Sequence, residues 1–141
     1  MLDQSLKIIS VVRPKIHTDS RGRLFEVLRG SVLTSRAFGQ IYVFTAYPGQ
    51  VKGNHVHSRK WEYFLAVRGK GVLSVLDLRS GRRESLDLDA DVPLVVGVPP
   101  NVAHAFRNNG PEDLVIVAYI SEEFDASDPD TTAAPVLEDP T

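Results

Sequence analysis

Apolar and polar residues alternate with a period of two along most of this chain, and the 3.6-residue rhythm of an amphipathic helix is hard to find. Gln40–Tyr47 (QIYVFTAY), Lys60–Val67 (KWEYFLAV), Gly71–Leu78 (GVLSVLDL), Arg83–Asp89 (RESLDLD), Pro93–Pro99 (PLVVGVP) and Asp113–Ile120 (DLVIVAYI) read as strands. The turn signals YPGQ, RSGR, PPN and NNGPE separate them. Only Ser31–Phe38 (SVLTSRAF) hints at a helical turn. Short strands at regular spacing predict an all-β sandwich or barrel, here over residues 1–124. Residues 125–141 are acidic and rich in Pro and Thr, which predicts an irregular tail packed on the outside or on a partner subunit.

The chain has 141 residues, 43% of them apolar, enough for one domain with a core. It has no Cys, so any metal must be held by His and carboxylate groups. No apolar run approaches the roughly 20 residues of a membrane span, and MLDQSLKIIS lacks the pattern of a signal peptide. A soluble cytoplasmic protein is the expectation. The net charge of −2 is unevenly spread: residues 122–141 hold seven acids and no base, while residues 1–60 carry ten bases against three acids. That basic excess suits an anionic ligand. No basic run is dense enough for nucleic acid.

The stretch GNHVHSRKWEYFLAVRG places His55 and His57 two residues apart, so both project to one face of a strand. A turn through Ser58–Lys60 would bring Glu62 onto the neighbouring strand, with Phe64 and Ala66 on its face and Trp61, Tyr63 and Leu65 on the other. The later segment VPPNVAHAFRN offers His104, with Phe106 on its side. Three imidazoles and a carboxylate converging in a barrel suit zinc, iron, manganese or nickel.

These spacings resemble the cupin superfamily. Gly49, His55, His57, Glu62 and Gly69 match its first motif, and Pro99, His104 and Asn108 match most of its second. Asn101 stands where glycine is usual, at a turn position that Asn tolerates. The resemblance implies a double-stranded β-helix, a jelly-roll-like barrel, with one divalent metal (zinc foremost) on His55, His57, Glu62 and His104. The segments DSRGRLFEVLR, GQVKGNHVH, KWEYFLAVRGKG and EEFDASDPDT resemble the cupin branch that acts on nucleotide-activated sugars. Within it, the chain is similar to the C-terminal domains of bifunctional capsule epimerase-reductases. More distantly it resembles the dTDP-4-dehydrorhamnose 3,5-epimerases and dTDP-sugar 3,4-ketoisomerases. No Gly-rich dinucleotide fingerprint accompanies it.

The resemblance implies an isomerase that removes the acidic proton beside a 4-keto group and returns it from the other face. It also implies a homodimer in which Arg21, Arg23 and Glu26 reach the nucleotide and phosphates. In the rhamnose-pathway epimerases, the histidine at the position of His55 resembles a catalytic base. A metal-bound imidazole cannot accept that proton, so Tyr119, Lys52 and Tyr42 are the candidates for proton transfer. Two other classes stay open: a metal-dependent dioxygenase, and a non-catalytic sugar-binding module.

Overall fold

The structure is a computed structural model that describes residues 6–33 and 38–138. Its described strands are β1 (Ser10–Val12), β2 (His17–Asp19), β3 (Gly22–Leu24), β4 (Gln40–Ala46), β5 (Val51–Val56), β6 (Glu62–Arg68), β7 (Lys70–Asp77), β8 (Arg83–Asp89), β9 (Val95–Val98), β10 (Val102–Arg107), β11 (Leu114–Ile120) and β12 (Thr132–Ala133). Each of the six strands expected from the alternation is present, with ends shifted by at most two residues. In place of the expected helical turn there is a short 3-10 turn at Gly30–Val32; residues 34–37 of that stretch lie outside the described residues.

Two five-stranded antiparallel sheets form the barrel. One has the order β1-β9-β6-β11-β4 and the other β12-β5-β10-β7-β8. From β4 to β7 and again from β8 to β11, successive strands alternate between the sheets, which is the cupin jelly-roll expected from the motifs. This placement corrects one expectation: β5 and β6 are not hydrogen-bonded neighbours but lie in opposite sheets. His55 and Glu62 therefore meet across the barrel interior.

The pleat decides which residues reach that interior. On β11, Leu114, Ile116 and Ala118 point inward and are completely buried. They join Phe64, Leu73, Val75, Val96 and Phe106 in one core. Each such side chain contributes roughly 1.5–3 kcal/mol by leaving water. Phe44, Phe64 and Phe106 meet edge to face, with Phe106 centroids 5.1 and 4.9 Å from Phe44 and Phe64. These rings form a dry floor beneath the histidines.

The outward residues of the first sheet make a separate cluster. Tyr63, Leu65, Val95 and Tyr119 lie there, covered by Phe25, Leu28, Leu33 and Trp61. Further along the same face, on edge strand β4, Ile41 and Val43 remain 59% and 61% exposed. The acidic C-terminal stretch docks on the molecule's own second sheet: β12 pairs with β5, and Ala134 and Val136 bury against Ala103 and Ala105. No described helix is long and apolar enough to cross a membrane.

Candidate functional site

Two local devices bring the histidines together. Gly53 lies on β5 at φ +102, and a Cβ there would sit 2.9 Å from the His104 carbonyl oxygen. Glycine thus lets β5 press against β10 where the ladder slips between His104 and Ala105, and His55 and His104 become cross-strand partners. Ahead of β10, Asn101 turns at φ 66, as its tolerance of that region predicts, and its N–H donates to the His57 carbonyl at 2.7 Å.

His55, His57, Glu62 and His104 gather with one ligand atom of each within 4.8 Å of the others. Glu62 and His104 are completely or almost completely buried, and His57 is 6% exposed. Glu62 Oε1 lies 2.7 Å from His57 Nε2 and 3.0 Å from His104 Nε2.

The other ring nitrogens identify the tautomers. His57 Nδ1 is 2.6 Å from the Asp130 carbonyl oxygen, and His104 Nδ1 is 3.1 Å from that of Val102. A carbonyl only accepts, so each Nδ1 carries the hydrogen and each neutral ring turns a bare Nε2 toward Glu62. His57 Nε2, His104 Nε2 and Glu62 Oε1 are buried with no hydrogen-bond partner. Three buried acceptors aimed at one another, with no donor between them, fit a cation. His and carboxylate donors suit a first-row divalent ion.

The charges agree. Burial pushes the His55 imidazole down, helped by His104, to about 4, so it is neutral and free to ligate at neutral pH. Burial opposes the charge on Glu62, but donation and positive charge from His104 and His57 in their protonated forms outweigh it and hold the carboxyl below its ordinary range. Burial also opposes protonation of His57, yet Glu62 and the Asp130 carbonyl together push its value up.

Two cavities open from this centre. One of about 200 Å³ lies inside the barrel, lined by Tyr42, Lys52, His55 and His104 over the phenylalanine floor. The other, about 320 Å³, runs outward past His57, Lys60, Phe124 and Thr131, with Tyr42 and His55 shared between them. Larger hollows of about 450 and 460 Å³ lie beside the β2–β3 hairpin and β8, but no buried ionisable group lines them. The chemistry sits in the smaller pair.

Of the proton-transfer candidates, the structure brings two to the centre. The Tyr42 hydroxyl donates to Glu62 Oε2, and burial followed by the Glu62 charge keeps its phenol protonated far above the usual range. Lys52 stands at the cavity mouth, exposed rather than desolvated. Tyr119 is the correction. Its strand neighbour Ala118 faces inward opposite Tyr42, so Tyr119 turns to the outer cluster, where its ring meets Phe38 and Tyr63. Arg21, Arg23 and Glu26 do not line either cavity. Arg21 is 87% exposed and paired with Asp19, Arg23 donates to the carbonyls of Ala90 and Asp91, and Glu26 pairs with Arg29.

Asp130 is a site residue that the sequence reading missed. Its carboxylate accepts from the Ser58 N–H and hydroxyl and from the Arg59 N–H. Burial pushes this carboxyl up, but the Ser58 and Arg59 donors prevail and hold it down at about 2. A depressed carboxyl stabilises the fold fully above its unfolded value near 3.9 and loses that contribution as pH falls through the folded value. Asp130 should thus contribute stability that is present above about pH 4 and disappears as pH falls toward about 2. Denaturant melts over that range should show a shallower acid slope for Asp130→Asn than for wild type; parallel slopes would count against the clamp.

Comparison with known proteins places the chain. Residues 17–132 match the family described as Polysaccharide biosynthesis C-terminal domain. The chain belongs to that family. A relative, the UDP-2-acetamido-2,6-beta-L-arabino-hexul-4-ose reductase of Pseudomonas aeruginosa, is 31% identical over 87% of this chain and 32% of its own length. The capsular polysaccharide assembling protein CapF of Staphylococcus aureus is 32% identical, with a TM-score of 0.68 over 87% of this chain and 34% of CapF. The chain therefore spans about a third of these two relatives. The 3'-monoepimerase ChmJ of Streptomyces bikiniensis, solved with dTDP-quinovose, is 25% identical, with a TM-score of 0.81 over 94% of this chain and 72% of ChmJ. The kinship to nucleotide-sugar epimerases inferred from the motifs is borne out, as is the cupin fold.

Proposed function

We propose that the protein is a metal-containing isomerase that epimerises a nucleotide-linked 4-keto sugar. The observation that carries this reading is the pairing of Tyr42 and Lys52 around one cavity beside the buried His–Glu centre, in a family whose relatives include nucleotide-sugar epimerases. Zinc is the ion we assign to His55, His57, Glu62 and His104. Bound there, it supplies Lewis-acid stabilisation of enolate charge and a tie between the sheets.

The chain's own groups divide the work as follows. The sugar ring enters the inner cavity, and the phenylalanine floor excludes water behind it. Lys52, on the wall of that cavity, is the group assigned to take the proton beside the ketone. Tyr42, held protonated, returns a proton to the opposite face. The apolar outer face of β4 and the fully exposed β2–β3 hairpin support a homodimer. In it, Arg21 and Arg23 of the hairpin meet the pyrophosphate of a ligand in the other protomer, because a guanidinium fork binds two oxygens at once. Glu26 closes the same subsite.

Incubation in D2O with UDP- or dTDP-linked 4-keto hexoses tests the reaction. Deuterium should appear at the epimerised carbon by mass spectrometry or NMR, with no oxygen consumed. No incorporation with any of them would remove the isomerase reading, and oxygen uptake would put an oxygenase in its place.

A further inference from the structure

We infer that the C-terminal segment Pro129–Ala134 is a working part of the metal centre, with Asp130 a positioning residue that fixes the tautomer and angle of His57. The inference rests on the assignment of His57 as a metal ligand.

The two ring-orienting carbonyls are not equivalent. His104 lies within β10 and donates to Val102, two residues away on its own strand. His57 lies past the end of β5, on a loop, and its carbonyl partner comes from Asp130, 73 residues later. One ligand is thus oriented by its own strand and the other by a distant segment. A carbonyl behind a ligating imidazole sets which nitrogen is bare and where it points.

Asp130 is built to hold that carbonyl in place. Its backbone sits at φ 44, a region that few non-glycine residues occupy but Asp tolerates. Its carboxylate takes three hydrogens from Ser58 and Arg59, the two residues that follow His57. The carboxylate thus grips the loop while the carbonyl grips the ring. On the other flank Lys60 Nζ donates to the Pro129 carbonyl at 3.0 Å.

The rest of the segment fastens to the strand that bears His55. Thr132 and Ala133 pair with Val56 and His55. Asn54 accepts from the N–H groups of Val136 and Leu137 and donates to the Leu137 carbonyl. Two ligands and the segment therefore form one hydrogen-bonded unit. Docking of the segment and binding of the ion must favour each other equally, because coupling between two sites is reciprocal.

The test uses the full chain, a chelating dye for Zn2+ affinity and Co2+ absorption bands for ligand geometry. Asp130→Ala should weaken Zn2+ binding about 10–100-fold, the usual effect of removing a group that orients a ligand, and should alter the Co2+ bands. Asp130→Asn keeps a side-chain oxygen and tolerates the same backbone region, so it should recover most of the affinity. Ser58→Ala removes one donor and should give a smaller loss in the same direction. Melting of the metal-free proteins separates misfolding from mispositioning. In the wild type, Zn2+ should slow amide exchange at Ala134 and Val136. Zn2+ affinity within threefold of wild type and unchanged Co2+ bands in Asp130→Ala would overturn the inference. So would a loss explained by the unfolded fraction alone, or amide exchange indifferent to Zn2+. A wild type that binds neither ion removes the ligand assignment itself.

Discussion

His57→Ala is expected to cut bound metal from about one ion per chain to a small fraction of that, and to lower the melting temperature on the order of 10 °C. An ion that binds only the folded site stabilises it by about 4 kcal/mol at a thousand times its dissociation constant. The substitution also strips the Asp130 carbonyl of its donor and leaves Glu62 with one imidazole fewer, at a cost of about 1–3 kcal/mol for each unsatisfied buried group. Chelation of the wild type removes only the first contribution. The expected order of melting temperature is therefore metal-loaded wild type, chelated wild type, His57→Ala. Elemental analysis and melting curves check it. Full occupancy in the variant, or no metal in the wild type, would sink the ligand assignment.

The grouping of His55, His57, Glu62 and His104 was legible because short-range rules govern much of it. Strand alternation fixed Glu62, Phe64 and Ala66 as the inward face of β6, while His57, expected on the strand with His55, lies one residue past the end of β5. What the sequence hid was long-range. Nothing local says that β5 and β6 belong to opposite sheets, and both arrangements satisfy the same alternation. The strands β1, β2, β3 and β12 are two or three residues long, too short to show a period. The acidic C-terminal stretch reads as irregular by composition, yet Ala134 and Val136 bury and Asp130 reaches a ligand 73 residues away. The Asp-Pro-Asp-Thr turn chemistry was visible in the sequence, but its partner was not.

Tyr119 is a different kind of miss. The alternation in DLVIVAYI already places Tyr119 with Val115 and Val117, on the face opposite the completely buried Ile116 and Ala118. Spacing shared with related epimerases makes Tyr119 a candidate, while the alternation sets its ring on the outer face, where the structure has it. Tyr42 on β4, also among the candidates, satisfies the same rule, since its inward-facing neighbour across the ladder is Ala118.

Tyr42→Phe is expected to slow epimerisation roughly 10²–10⁴-fold, the usual share of one general acid, while exchange of the substrate hydrogen with D2O continues. The ring remains, so packing against Phe44 is kept and only the hydroxyl is lost. Lys52 still removes the proton in that variant, and deuteron return on the original face gives exchange without inversion. Lys52→Met should behave differently. It keeps the length of the side chain but has no base, so exchange and epimerisation should fall together. The two variants thus separate the roles: inversion alone lost in one, both signals lost in the other. Because the Tyr42 hydroxyl also donates to Glu62, metal content must be measured beside the rates, and it should stay within a factor of two of wild type. Tyr119→Phe serves as the control, with a rate near wild type, since its ring lies on the other side of the sheet. Exchange lost in Tyr42→Phe and kept in Lys52→Met would exchange the two assignments. A rate near wild type in both would place the proton-transfer groups outside this cavity.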